Sequence, residues 1–115
     1  MANFYLKVGN LSPAITATLT DDAGDPVDLT GATVIFKLVS MLDYTTVVAG
    51  SADILVADPD VLQAGDPNVR YRWQGADSAT PGLYYAEWQA TLPSGAGPIT
   101  FPNTGFLIVN ISPTL

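Results

Sequence analysis

Polar and apolar residues alternate along most of this chain, most cleanly between residues 82 and 92. Tyr84, Ala86, Trp88, Ala90 and Leu92 share one parity, and Tyr85, Glu87, Gln89 and Thr91 share the other. A period of two puts successive side chains on opposite faces of a strand. The segment therefore predicts an antiparallel strand with one face on a core and the other toward water. It follows Thr80-Pro81-Gly82, where proline presets φ and glycine tolerates positive φ, so a tight reversal is expected there.

The same period recurs on both sides of this strand. Asn3–Val8 alternates with Phe4, Leu6 and Val8 on one face, and Ala14–Thr20 does so with Ile15, Ala17 and Leu19 against three threonines. Ala32–Ser40 sets Ala32, Val34, Phe36 and Leu38 against Thr33, Ile35, Lys37 and Val39, and Asn68–Gln74 sets Val69, Tyr71 and Trp73 against Arg70, Arg72 and Gln74. Further strands are expected at Thr45–Val48 and Ser51–Ala57, with extended chain at Val27–Leu29. The end of the chain reads as Ile99–Phe101 and Thr104–Ile111, either a strand pair or one strand broken at Pro102-Asn103. Val61–Pro67 reads as a helical turn or a loop. No segment carries a 3.6-residue apolar period. Seven to nine short strands separated by Gly, Pro and Asp turns predict an all-β, antiparallel sandwich or barrel as a single domain over 1–115.

Composition narrows what such a domain does. The chain has 115 residues, 48% of them hydrophobic and only 13% charged. That balance is the opposite of a disordered chain, and a core is feasible at this length without metal or disulfide support. Four basic residues, Lys7, Lys37, Arg70 and Arg72, stand against eleven acidic ones, for a net charge of −7. Phosphate binding requires cationic groups that release counterions, so neither nucleic acid nor an anionic membrane is an expected partner. No apolar run approaches the ~20 residues of a membrane span, and no secretory signal pattern is visible at the N-terminus.

Candidate chemistry is sparse. Histidine and cysteine are absent, which removes the Ser-His-Asp and Cys-His arrangements and the thiolate or imidazole metal sites. Glu87 is the only glutamate, and it falls on the solvent parity. The expectation is a non-enzymatic protein without a cofactor. Asp21, Asp22, Asp25 and Asp28 crowd one loop; calcium favours such oxygen-rich loops, but the spacing departs from the EF-hand pattern, and turn aspartates commonly bond to local backbone. Asp58, Asp60 and Asp66 form a weaker group. Arg70 and Arg72 share a strand face, where Glu87 from a neighbouring strand would pair with either, or both would anchor a partner's carboxylates.

The outer parity is more informative. Tyr5, Ile35, Val39, Phe106 and Ile108 oppose the residues assigned to the core, and contiguous exposed apolar positions mark interfaces. They are the candidate partner-contact residues. Unpaired strand edges offer a second route to assembly. In an alternative reading, Tyr5, Tyr44 and Tyr85 form a sugar-stacking platform.

Asp77, Gly82, Tyr84 and Ala86 are placed as in an immunoglobulin tyrosine corner, with Ala86 at the cysteine position and Trp73 and Trp88 filling the core. Three segments, ATLTDDAGDPVDLTGATVIFKL, YRWQGADSATPGLYYAEWQATLPSG and TFPNTGFLIVNI, together resemble a phage structural Ig-like module. This is the module of the N-terminal domain of siphophage baseplate upper proteins and of related small tail, neck and head proteins. The resemblance runs from Phe4 to Ile111. It implies an Ig-like β-sandwich in the virion, present in multiple copies around a symmetric assembly and contacting other phage structural proteins, with no catalytic residues. The chain resembles that module without the helical stalk that follows it in baseplate upper proteins, which favours an accessory head, neck or tail role.

Overall fold

The computed structural model describes residues 2–21, 23–63, 65–93, 98–102 and 105–114. The Asp22 position, the 94–97 part of the loop after the long strand and the Thr104 start of the last expected strand lie outside them. The strands are β1 (Phe4–Lys7), β2 (Ile15–Ala17), β3 (Thr33–Ser40), β4 (Thr46–Ser51), β5 (Asp53–Ile54), β6 (Val69–Tyr71), β7 (Gly82–Thr91), β8 (Pro98–Phe101) and β9 (Leu107–Ser112), with one 3-10 turn at Pro59–Val61. The fold is all-β, and no α-helix occurs among the described residues.

Two sheets form. The larger has the order β1-β9-β7-β3-β4, with β8 also on β7; the smaller has the order β2-β6-β5. All pairings are antiparallel except β1 with β9, which is parallel. The alternation in β7 sets this arrangement. Its even residues Tyr84, Ala86, Trp88 and Ala90 are buried, and Tyr85, Glu87 and Gln89 are half-buried on the other face. β3 pairs along nearly all of β7, from Thr33 opposite Thr91 to Ser40 opposite Tyr84. On the other side of β7, β8 covers Trp88–Thr91 and β9 covers Gly82–Ala86, end to end. The closing segment thus supplies two strands along the same side of β7, with Phe101 opposite Trp88 and Leu107 opposite Ala86.

Between the sheets, Phe36 is fully buried at the centre of an aromatic cluster. Its ring stacks on Tyr71 at 4.9 Å, meets Trp88 at 4.8 Å and lies edge-on to Trp73 at 5.7 Å. Each such pair adds about 0.5–1.5 kcal/mol beyond its area, and each large side chain about 1.5–3 kcal/mol on burial. Trp73 and Trp88 are buried as expected, and their indole N–H groups have no hydrogen-bond partner among the described residues. An unmade buried bond costs about 1–3 kcal/mol, so ring packing has to outweigh that loss at both positions.

Several local expectations change in three dimensions. Ser51–Ala57 is not one strand, because the chain crosses between sheets at Ala52. The Ala52 N–H still donates to the Val34 carbonyl oxygen of β3 (2.8 Å), whereas the Leu55 N–H already donates to the Asn68 carbonyl oxygen beside β6 (2.8 Å). Beside Val27–Leu29, a single bridge joins Thr20 to Pro26 and the Val27 N–H donates to the Leu19 carbonyl oxygen (3.0 Å). Glu87 pairs with neither arginine, because β6 lies in the opposite sheet. Arg70 and Arg72 instead converge on one Asp53 carboxylate oxygen, at 3.1 and 3.2 Å.

Two side chains tie connections to strands. The Tyr84 hydroxyl donates to the Thr80 carbonyl oxygen at 2.6 Å, four residues upstream. The buried Asn68 side chain accepts from the Leu19 N–H (2.8 Å) and donates to the Leu19 carbonyl oxygen (3.2 Å). It thereby continues the β2–β6 pairing past the last backbone-paired residue.

Candidate interaction surface

The outer face of the larger sheet collects the odd-numbered residues of β3, β7 and β1 and the even-numbered residues of β9. Register places Val39 opposite Tyr85 and Tyr85 opposite Ile108, so these three form one row across the sheet. The next row places Lys37 opposite Glu87, and the one beyond it Ile35 opposite Gln89. On the other side, Leu83 and Tyr5 both lie opposite Asn110.

Two connections raise aromatic rings beside this floor. Tyr44, in the β3–β4 hairpin, has φ 59°. A bulky residue seldom occupies that region, at a cost of about 1–3 kcal/mol where the surroundings enforce it. Its ring stacks on Tyr85 at 6.1 Å. Phe106 follows Gly105, whose φ of 69° suits glycine, and lies 4.9 Å from Tyr85. Lys37, Val39, Tyr44, Tyr85, Glu87 and Phe106 line a cleft of ≈ 70 Å³. Tyr44 and Phe106 remain 69% and 53% exposed despite these contacts, so the cleft is walled by apolar surface that the described residues leave uncovered.

Charge is sparse here. Glu87 and Lys37 lie next to each other in register without an ion pair among the described residues. Apart from Asp43 in the hairpin, the other described acids lie off this face: Asp21, Asp25, Asp28, Asp58, Asp60, Asp66 and Asp77 in connections, and Asp53 on β5 of the smaller sheet.

Of the five predicted contact residues, Val39, Phe106 and Ile108 gather around Tyr85. Ile35 stands four residues along β3 from Val39, beyond Lys37, and Tyr5 lies on the edge strand β1. Tyr85 and Tyr44 do come together as the sugar-platform reading requires, and Tyr5 makes no ring contact with them. Sequence reasoning did not group Tyr44 and Tyr85 with Phe106, nor weigh Leu42 or Leu83. The even spacing of Tyr85 with Glu87 disguised it as part of a polar face, and the turn residue Tyr44 carries no periodicity.

Other candidate groups are satisfied locally. Asp21 Oδ1 accepts from the Ala23 and Asp25 N–H groups, and Asp28 Oδ1 from that of Thr30. The bonds from Thr30 hold the Asp28 carboxyl below its ordinary range, and those from Thr45 do the same for Asp43. No group of three or more candidate metal ligands occurs among the described residues. A second cleft, of ≈ 210 Å³, lies between the β3–β4 hairpin and the 76–80 turn and includes Asp43, Asp77 and Tyr84. Its acceptors are already engaged: Asp77 Oδ2 takes the Tyr71 hydroxyl (2.5 Å) and the Gln74 N–H (2.9 Å), and the Asp43 carboxylate takes the Thr45 hydroxyl. Burial, then the bond to Asp77, push the Tyr71 phenol well above the ordinary tyrosine range, and burial raises that of Tyr84.

No protein-family model, curated protein or solved structure matches the chain.

Proposed function

We propose that this chain is a non-enzymatic bacteriophage virion protein with an Ig-like β-sandwich fold. In this reading it is an accessory head-decoration, neck or tail component, present in multiple copies, that docks onto other structural proteins of the particle. The single observation behind docking is the uncovered apolar surface around Tyr44, Val39, Tyr85 and Phe106. An exposed patch of this kind, rich in aromatic residues and with one Lys and one Glu along its lining, supports a protein interface. The strand order supports the Ig-like part: β1-β9-β7-β3-β4 facing β2-β6-β5 parallels the arrangement of a variable-type immunoglobulin domain. The Tyr84–Thr80 bond occupies the place of the tyrosine corner. Purified particles carrying the chain at a fixed stoichiometry, lost on Phe106→Asp, are the expected result. A chain recovered only free in the lysate of infected cells overturns it.

The stacked Tyr44–Tyr85 pair favours a second reading, a host-surface or carbohydrate-binding module. Glycan-array binding by the isolated protein, abolished by Tyr44→Ala, separates the two.

A further inference from the structure

We propose that the free edge of β4 takes an extended segment of another protein as a further strand of the larger sheet, and that this segment carries no net negative charge. β4 pairs with β3 on one side and with no described strand on the other. The Ala52 N–H, just past β4, donates to the Val34 carbonyl oxygen at 2.8 Å. Hydrogen-bonded and non-bonded pairs alternate along an antiparallel ladder. In the same register, Gly50 opposite Phe36 and Val48 opposite Leu38 are therefore the β4 positions that bond to β3. Ala49 and Ser51, opposite Lys37 and Ile35, turn their N–H and carbonyl groups the other way. No backbone group among the described residues takes them. Both residues are exposed, and their small side chains leave the approach open. A donor and an acceptor on each of two alternate residues is the pattern that another extended backbone satisfies.

The other sheet edges among the described residues each carry a feature that discourages strand addition, such as a charge, a proline or shortness. β1 ends in Lys7, and β8 begins with Pro98, which has no N–H to offer. β2 and β5 are three and two residues long, and Asp53 of β5 is held by Arg70 and Arg72. β4 differs from all four. It has six residues, Thr46–Ser51, with neither charge nor proline. Its irregularity lies toward the Thr46 end, opposite Leu38 and Val39, and leaves Val48–Ser51 in unbroken register with β3. Charge then selects among strands. At a net charge of −7 the chain repels an acidic segment and a second copy of itself, and the uncharged edge has nothing to offset that repulsion. A neutral or basic segment meets no such opposition.

The edge stands independently of the docking face: Ala49 tests the one and Phe106 the other. The probe is a random library of short peptides, both acidic and basic, selected against the immobilised full chain. Binders without net negative charge are expected. Ala49→Pro removes an outward N–H and no bond to β3, as an edge strand tolerates, and should raise their Kd about tenfold or more. Ala49→Lys places a charge on the same edge and should weaken them in the same direction. Phe106→Ala should leave Kd unchanged. Circular dichroism and Tm confirm that each variant is folded. A scan of the bound peptide by backbone N-methylation gives a readout that needs no variant of the protein: loss at every second residue, and tolerance between, is the signature of a strand ladder. A library that yields no binder overturns the proposal. So do binders indifferent to both Ala49 changes, binders that are mainly acidic, or N-methyl sensitivity without a period of two. A reversible dimer of the chain alone, lost on Ala49→Pro, overturns it in favour of a second copy at this edge.

Discussion

Replacing Asn68 by alanine tests how the smaller sheet is held to its neighbouring connection. Asn68 is 1% exposed, and its amide stands in for a strand backbone against Leu19. In the variant the Leu19 carbonyl oxygen keeps its bond from the Val27 N–H at 3.0 Å, but the Leu19 N–H is left buried without an acceptor. One unmade buried bond costs about 1–3 kcal/mol, and the space vacated by the amide adds about 1 kcal/mol. The expected loss is therefore about 2–4 kcal/mol, a large part of the ~5–15 kcal/mol stability of a domain this size. Urea unfolding followed by the fluorescence of buried Trp73 and Trp88 measures it. Asn68→Asp sharpens the test. A neutral acid keeps an acceptor for Leu19 N–H and donates to its carbonyl oxygen, whereas a carboxylate repels that oxygen and is buried. The folded-state pKa of the new acid is then raised above its unfolded value of about 3.9. Its stability relative to the parent is highest below that unfolded value and falls as pH rises through the folded pKa. An Asn68→Ala loss below about 0.5 kcal/mol, within the range of ordinary surface changes, would refute the reasoning.

Other substitutions probe separate links. Tyr84→Phe removes the bond to the Thr80 carbonyl oxygen and should cost about 0.5–1.5 kcal/mol by urea titration. Gly50→Ala places a Cβ 2.9 Å from the Tyr71 ring, and overpacking of that kind should lower stability by about 1–3 kcal/mol. Asp53→Asn neutralises the acceptor shared by Arg70 and Arg72; both arginines reach solvent, so the change should stay below about 1 kcal/mol and shrink with added salt. Tyr71 and Tyr84 both titrate above their unfolded value of about 10. The stability they contribute is fully present below that pH and is lost above it, so alkaline unfolding should begin later in the Tyr71→Phe variant than in the parent.

The sequence by itself determined which residues are buried together. The period of two in β7 and β3 sorted Tyr84, Ala86, Trp88, Phe36 and Leu38 onto one side, because a pleated strand leaves no other choice. Alternation also put Val39, Phe106 and Ile108 on the outer side, so part of the candidate surface was legible. Only the tertiary structure decided which strands meet. Parity is silent on pairing partners, and hence Arg70 and Arg72 met Asp53 rather than Glu87, and Ser51–Ala57 divided between two sheets. The cleft was hidden for a related reason. Tyr44 stands on a connection with no period and Phe106 just before β9, and they approach Tyr85 only because the β3–β4 hairpin and the start of β9 flank the same stretch of β7. Side-chain parity is a local property of the backbone, whereas the meeting of two connections over one strand depends on the order and register of the whole sheet.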